Sequence, residues 1–431
     1  VIERRKPISV GEAVQRIMEW KKYGDEEYVS IEKSDGRFLS QPLKADHDVP
    51  HFDRSPYDGF AIRSEDTDSC SNEQPIQLEV VDEIGAGQVS SFHLKQNQAI
   101  RIMTGAAIPS GADCVIMLEL TSEAEKDGKK FITIKRKMKK GENISFQGED
   151  AKKGDKLIEE GTKVNPGVKA LLATFGYNQV PVVRRPIIGV LATGSELLEV
   201  DEPLQSGKIR NSNGHMIISQ VERAGGVVRR YGQCEDHLED VLKTVQLAVE
   251  ECDFVITTGG VSVGDFDYLP EIYDRLGAKK LFNKIAMRPG SVTTAAVCNG
   301  KLLFGLSGNP SACYVGFELY VRPIIRYWLH QSKPFLAKGT AILQKDFPKA
   351  NPFNRFVRSQ LHYGEGGRLF VSPVGLDKSN VVTSLAWANC LMVLPGGTRG
   401  FKTGDLVDVL LLEDETGSDV PWQESKKSSK L

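Results

Sequence analysis

The spacing of apolar and polar residues changes several times along the chain, and each change marks a different kind of element. Ser9-Val-Gly-Glu12 opens as a helix-capping sequence, with Val10, Ala13, Val14 and Ile17 on one stripe, so a helix is predicted to about Tyr23. The pattern then shortens. Ile76–Val81, Ala99–Met103, Cys114–Leu118 and Phe131–Ile134 are brief β-rich runs separated by Gly, Pro and Lys, which predicts a small β domain. From Pro186 apolar strands alternate with amphipathic segments. Strand 187–192, a helix through Met216–Glu222, a strand at Val227, a helix 236–252 striped by Leu238, Val241, Leu242, Val245 and Val249, strand 254–257 and strand 302–304 follow in turn. An apolar helix then runs towards Trp328. Such alternation predicts a doubly wound parallel sheet with helices on both faces. After Pro334 the runs 356–361, 368–372, 390–394 and 406–412 predict a second β domain, and the lysine- and serine-rich last dozen residues predict a frayed tail.

Length and composition narrow the class. A chain of 431 residues exceeds one ordinary core, so about two to four domains are expected. A formal net charge of -2 argues against a nucleic-acid binder. No apolar run approaches the ~20 residues that span a bilayer, so no membrane partner is expected. The seven cysteines stand singly, without CxxC or Cys/His clusters, which fits a reducing compartment rather than a zinc site or disulfide framework. The stretch Val1–Arg5 lacks the apolar core of a secretion signal, and the cytoplasm is the expected location.

Three motifs follow apolar strands: Thr193-Gly-Ser-Glu196, the stretch from Gly259 and Gly260 to Asp267, and Ser307-Gly-Asn-Pro310. In a doubly wound sheet, ligands bind beyond the carboxyl ends of the strands. Glycines there let backbone approach a phosphate, and a following helix turns its free N–H groups towards the anion. Any one of these could be an ordinary turn. Three on one edge point to Thr193, Gly194, Ser195, Gly259, Gly260, Ser262, Gly308, Asn309 and Pro310 as ligand-binding positions. Acids share the edge: Glu196, Asp236, Asp265 and Asp267. They would repel a phosphate unless a divalent ion lay between, and Mg²⁺ is commonly held by one or two carboxylates together with substrate phosphates. Asp236 could equally cap its helix. The seven histidines show no ligand spacing and none lies close in sequence to Ser195 or Ser262, so charge positioning with a metal is expected rather than a covalent nucleophile. The stretches 50–63, 101–109 and 148–150 concentrate Pro, Asp, Gly and aromatics beyond what turns need.

In order along the chain, Ser55-Pro-Tyr-Asp-Gly-Phe-Ala61, Arg101-Ile-Met-Thr-Gly-Ala106, Gly148-Glu-Asp150, Ala192-Thr-Gly-Ser-Glu-Leu197, Gly207-Lys-Ile-Arg-Asn-Ser-Asn213, Gly259-Gly-Val-Ser-Val-Gly264, Met287-Arg-Pro-Gly290 and Gly308-Asn-Pro310 resemble the molybdopterin molybdenumtransferases, the MoeA family that includes the gephyrin E domain. The likeness runs from about residue 6 to 413. It implies an α/β multidomain fold: residues 1–47 and 148–180 paired into an elongated domain, an inserted β domain 48–147, a pterin-binding α/β domain 181–331, a C-terminal β domain 332–413 and a tail 414–431. It implies a transferase that takes adenylylated molybdopterin and molybdate and yields molybdenum cofactor and AMP. Glu196, Asp236 and Asp267 would handle Mg²⁺ and the adenylate. Asp58, Thr104 and Asp150 would reach in from the other subunit of a homodimer. Arg288, Ser291, Arg358 and Ser379 fall on the family's molybdate site. The adenylyltransferase that supplies the substrate and the acceptor molybdoenzymes are the implied partners. Where family members often carry Lys, this chain has Arg288, and where some carry a second Lys it has Ser291; Ser307 stands for the usual Pro. The alternatives are an adenylyltransferase-like enzyme, disfavoured by the additional segments, and a non-catalytic pterin-binding scaffold, disfavoured by the retained acids.

Overall fold

The computed structural model describes residues 6–234, 237–260, 268–414 and 417–422. The chain divides into two compact units, one of Val1–Gln41, Glu160–Ala170 and Asn178–Leu431, the other of Pro42–Glu159 and Leu171–Tyr177. In the first unit six strands make one sheet: β1 (Ile187–Thr193), β2 (Val227–Cys234), β3 (Phe254–Thr258), β4 (Lys279–Phe282), β5 (Thr294–Cys298) and β6 (Lys301–Leu306), in the order β2-β1-β3-β6-β5-β4. The first four strands of that order are parallel, as the alternation predicts. β5 is antiparallel to both neighbours, so the sheet is mixed rather than wholly parallel. The cause is local. Asn299 and Gly300 adopt φ of 50° and 72° between β5 and β6, the left-handed pair that closes a two-residue hairpin, and no crossover helix can fit there.

Successive residues of the central strands point to opposite faces, and each face has its own helical cover. Ile188, Val190, Phe254, Ile256 and Phe304 share a core with Ile217 and Val221 of α1 (Ser212–Ala224). Leu191, Val255 and Leu303 pack instead with Val241, Val245 and Val249 of α2 (Leu238–Glu251) and Ile272 of α3 (Leu269–Arg275). Each such apolar side chain contributes about 1.5–3 kcal/mol when buried. The predicted apolar helix is α4 (Pro310–Gly316), one π turn over Phe317–Val321, and α5 (Arg322–Trp328) in continuous succession.

The N-terminal helix, Val10–Met18, joins the same core through the four predicted residues. It ends five residues short of Tyr23, because Glu19, Lys21 and Lys22 offer no further apolar stripe. Only half of the capping arrangement forms: Ser9 Oγ accepts from Glu12 N at 3.1 Å, while the Glu12 carboxylate takes Arg16.

Lys338–Leu343, Asn354–Tyr363, Leu369–Pro373, Cys390–Leu394 and Leu406–Leu411 close into a barrel, because Asn354–Tyr363 pairs with both Leu369–Pro373 and Cys390–Leu394. Closure gives each of the five strands a partner on both sides. Met287–Arg288 adds to it in parallel, with Arg288 opposite Arg355. Part of the expected tail is packed against this unit: Ser418 pairs with Phe335, and Trp422, 8% exposed, meets Phe356 edge-on and donates to Asp408 at 3.3 Å.

The second unit carries a six-stranded sheet, Cys114–Met117, Gly59–Ile62, Gln98–Ile102, Ile76–Ile84, Lys129–Ile134 and Thr121–Lys126 in spatial order. It contains the four predicted runs and two further strands. Gly59–Ile62 lies inside a stretch read as a motif loop. Thr121–Lys126 is an exposed, polar edge strand joined to its neighbour by Asp127-Gly128, so it carries no apolar alternation to read.

Candidate functional site

A cleft of about 700 Å³ opens at the carboxyl ends of β1, β3 and β6 in the first unit. Its walls are the loops that follow those strands (Thr193, Gly194 and Glu196; Gly259 and Gly260; Ser307, Gly308 and Asn309), the turn Arg288–Val292, and Arg355 with Asp377, Lys378 and Ser379 from the barrel. The cleft lies at the strand ends that carry the three sequence motifs.

Close approach dictates the glycines. Gly259 sits at φ 90°, and a Cβ there would lie 2.3 Å from the Thr193 carbonyl oxygen. Its N–H already donates to Leu306 O at 3.1 Å, and Gly194 N–H donates to Cys234 O at 3.2 Å. These two glycines therefore shape the cleft rather than present free donors to an anion. Pro310 begins α4 and does not line the cleft; Asn309 N is turned back to Ser307 Oγ at 3.2 Å. Ser195 is also outside the lining, and its carbonyl accepts from the Lys208 ammonium.

The opposite end is cationic. Arg355 donates to Asp377 at 2.6 Å and to Asn351 at 2.6 Å. Arg358 is 1% exposed and does not line the cleft. Its guanidinium lies behind the 376–379 loop, bonded to Leu376 O at 3.2 Å, Lys378 O at 3.1 Å, Ser384 Oγ at 3.3 Å and Asp377 Oδ1 at 3.4 Å. Burial holds it below its ordinary pKa, with Asp377 opposing. The same loop is tied to the start of α4, where Ser311 N donates to Ser379 O at 3.0 Å and Ser311 Oγ donates to Val381 O at 2.5 Å. Arg288, Ser291 and Ser379 all face the cleft. Sequence reading missed Arg355, Asp377 and Lys378. The polar run Asp377-Lys-Ser-Asn380 between two strands was the available signal.

Of the acids expected at the other end, Glu196 lines the cleft, while Asp236, Asp265 and Asp267, like Ser262, lie outside the described residues. Among the described residues no group of three His, Cys, Asp or Glu side chains is placed to hold a metal ion. The donor set nonetheless suits a hard cation, since Glu196 is the one carboxylate among the described lining residues not engaged by cations, and the lining contains no His or Cys.

Asp58, Thr104 and Asp150 lie on the second unit, all exposed. Asp58 Oδ1 accepts from Thr104 N at 2.7 Å and Thr104 Oγ1 at 2.8 Å. The backbone bond and then the hydroxyl bond hold the Asp58 carboxyl below its ordinary pKa, so it is ionised at neutral pH. Asp150 is fixed through its backbone, N to Val49 O at 3.0 Å.

Comparison with known proteins covers the whole chain. The family described as "MoeA N-terminal region (domain I and II)" matches residues 8–176, "Probable molybdopterin binding domain" matches 189–327, and "MoeA C-terminal region (domain IV)" matches 340–412. The molybdopterin molybdenumtransferase of Bacillus subtilis is 57% identical over 431 residues, covering 100% of both chains. That of Staphylococcus epidermidis is 51% identical over 96% of this chain and 98% of its own. Among solved structures, a molybdopterin biosynthesis MoeA protein from Pyrococcus horikoshii superposes with a TM-score of 0.79 at 31% identity, covering 94% of this chain and 100% of its own.

Proposed function

Because the chain belongs to the MoeA family of molybdopterin molybdenumtransferases, we propose that its strand-end cleft joins molybdate to adenylylated molybdopterin, yielding molybdenum cofactor and AMP. The observation that carries this reading is the division of one cleft into an acidic, glycine-lined end at Thr193, Glu196 and Gly260 and a cationic end at Arg288, Arg355 and Lys378. A nucleotide-linked pterin needs a metal-compatible phosphate end, and a tetrahedral oxyanion needs cations and hydroxyl donors. The described lining offers no nucleophile paired with a base, so the side chains work by holding the two reactants in contact and balancing charge.

The proposed roles join the family resemblance to the cleft lining. Gly260, Gly308 and Asn309 admit the phosphate against the strand ends. Mg²⁺ held by Glu196, with Asp236 and Asp267, would offset the repulsion between phosphate and carboxylates. Arg288 directs its guanidinium at the oxyanion, and Ser291 and Ser379 offer hydroxyls. Arg358 keeps the loop carrying Ser379 in place. Glu196→Gln is expected to slow AMP release sharply at limiting Mg²⁺ and to recover partly as Mg²⁺ rises, with unfolding unchanged. Full activity at limiting Mg²⁺ would remove Glu196 from the metal site.

We further propose a homodimer in which Asp58, Thr104 and Asp150 complete the partner's cleft. They are exposed, polar and belong to the unit that does not carry the cleft. Mixing an Asp58→Ala chain with a Glu196→Ala chain is expected to restore activity to roughly a quarter of wild type, since about half the dimers would be mixed and each would hold one intact site. No gain on mixing, or a monomeric active species in light scattering, contradicts the shared site. The cytoplasm remains the proposed location: all seven cysteines are free thiols, and no described helix is long and apolar enough to cross a membrane. The supplying adenylyltransferase and the acceptor molybdoenzymes are the proposed partners.

A further inference from the structure

The charge balance of the cleft singles out a residue that the family resemblance does not name. Among the described lining residues, three are cations, Arg288, Arg355 and Lys378, and two are carboxylates, Glu196 and Asp377. Asp377 is already consumed. It accepts from Arg355 at 2.6 Å, from Arg358 at 3.4 Å and from Lys349 at 3.3 Å, and it is 8% exposed. Arg355 is spent in the same contact and in its bond to Asn351. Among the described residues, Arg288 and Lys378 are the lining cations whose charged groups have no ion pair or hydrogen bond.

The Lys378 backbone is not free to wander. Arg358 grips its carbonyl at 3.1 Å, and Ser311 grips the next carbonyl, Ser379 O, at 3.0 Å. With the backbone fixed, only the side chain has to be ordered around an anion, and both charges of a dianion can then be met at once. We propose that Lys378 is a substrate-contacting residue, whose ammonium takes the second charge of the tetrahedral oxyanion while Arg288 takes the first. This rests on the reading of the cleft's cationic end as the molybdate site. It also gives Arg358 a positioning role: three of its bonds run to residues 376–378 of the loop and the fourth to Ser384, none into the cleft.

The test uses the full chain and two readouts, the molybdate concentration for half-maximal AMP release and direct calorimetric binding of molybdate. Lys378→Ala is expected to raise the half-maximal molybdate concentration and the calorimetric Kd alike by about ten- to a hundredfold, the loss of one charge-assisted contact, with the half-saturating pterin concentration unchanged. Lys378→Arg should stay near wild type. Placing a charge elsewhere in the cleft lining with Ser291→Lys should recover much of the affinity lost in Lys378→Ala. If Lys378→Ala leaves molybdate affinity unchanged while Arg288→Ala weakens it, the proposal is overturned and the oxyanion reading stands. If neither weakens it, that reading itself fails. A defect in pterin rather than molybdate saturation overturns the proposal, as does a loss that neither the Arg variant nor the relocated Lys repairs.

Discussion

Asp377→Ala is expected to lose molybdate affinity and fold stability together, and by more than any other single change at the cleft. The carboxylate is 8% exposed and lies between guanidiniums that are 9% and 1% exposed, Arg355 and Arg358. Deleting one member of a buried ion cluster leaves charge without a partner, which typically costs about 3–5 kcal/mol. Arg358 would keep its carbonyl bonds to residues 376 and 378 but lose the contact that aligns it. The loop carrying Lys378 and Ser379 should loosen, and half-saturating molybdate should rise at least as far as in Lys378→Ala. Urea unfolding and molybdate titration of the same preparation check both halves. Wild-type stability would show that the cluster is better solvated than its burial indicates.

The second large effect lies at a residue outside the cleft lining. Glu318 is on the π turn between α4 and α5 with its side chain 0% exposed. It accepts from Arg322 at 2.8 Å and Gln220 at 2.7 Å, and pairs with Arg223. Glu318→Ala is expected to destabilise the first unit by about 3–5 kcal/mol, chiefly by stranding Arg322, which is 5% exposed. Arg223, 41% exposed, is screened by solvent and adds little. Arg322 also donates to Leu412 O at 2.8 Å and Asp414 O at 3.2 Å, so the end of the barrel's last strand should loosen with it. Hydrogen exchange at residues 411–414 should rise along with the loss of stability. A double change, Glu318→Leu with Arg322→Met, should recover much of the loss, because well-packed apolar groups commonly replace a buried pair without penalty. A single variant as stable as wild type would contradict this account.

What could be read from the chain divides along a physical line. The cores of β1, β3 and β6 were visible because each is a short apolar run ending in glycine, and the strand-end rule then placed Thr193, Gly259 and Gly308 on one edge. The hairpin of β5 and β6 was legible in principle from Asn299-Gly300, but its strands lie inside a longer apolar stretch that the alternating pattern assigned to parallel units. Thr121–Lys126 is polar on both faces, so its strand is set by pairing to Lys129–Ile134 and not by periodicity. The cationic end was only half legible. Arg288, Ser291 and Ser379 come from a family pattern and do face the cleft. The burial of Arg358 and the exposure of Lys378 depend on the barrel closing and on Ser311 meeting Ser379 across 68 residues of chain (379 − 311), a contact no local pattern encodes.

The central claim is tested most directly by supplying purified protein and Mg²⁺ with adenylylated molybdopterin, with and without molybdate, and following AMP and protein-bound molybdenum together. The account predicts AMP released in step with molybdenum incorporated, and little AMP when molybdate is withheld. AMP released at the same rate without molybdate, or ATP consumed on unmodified molybdopterin with no molybdenum taken up, would contradict it.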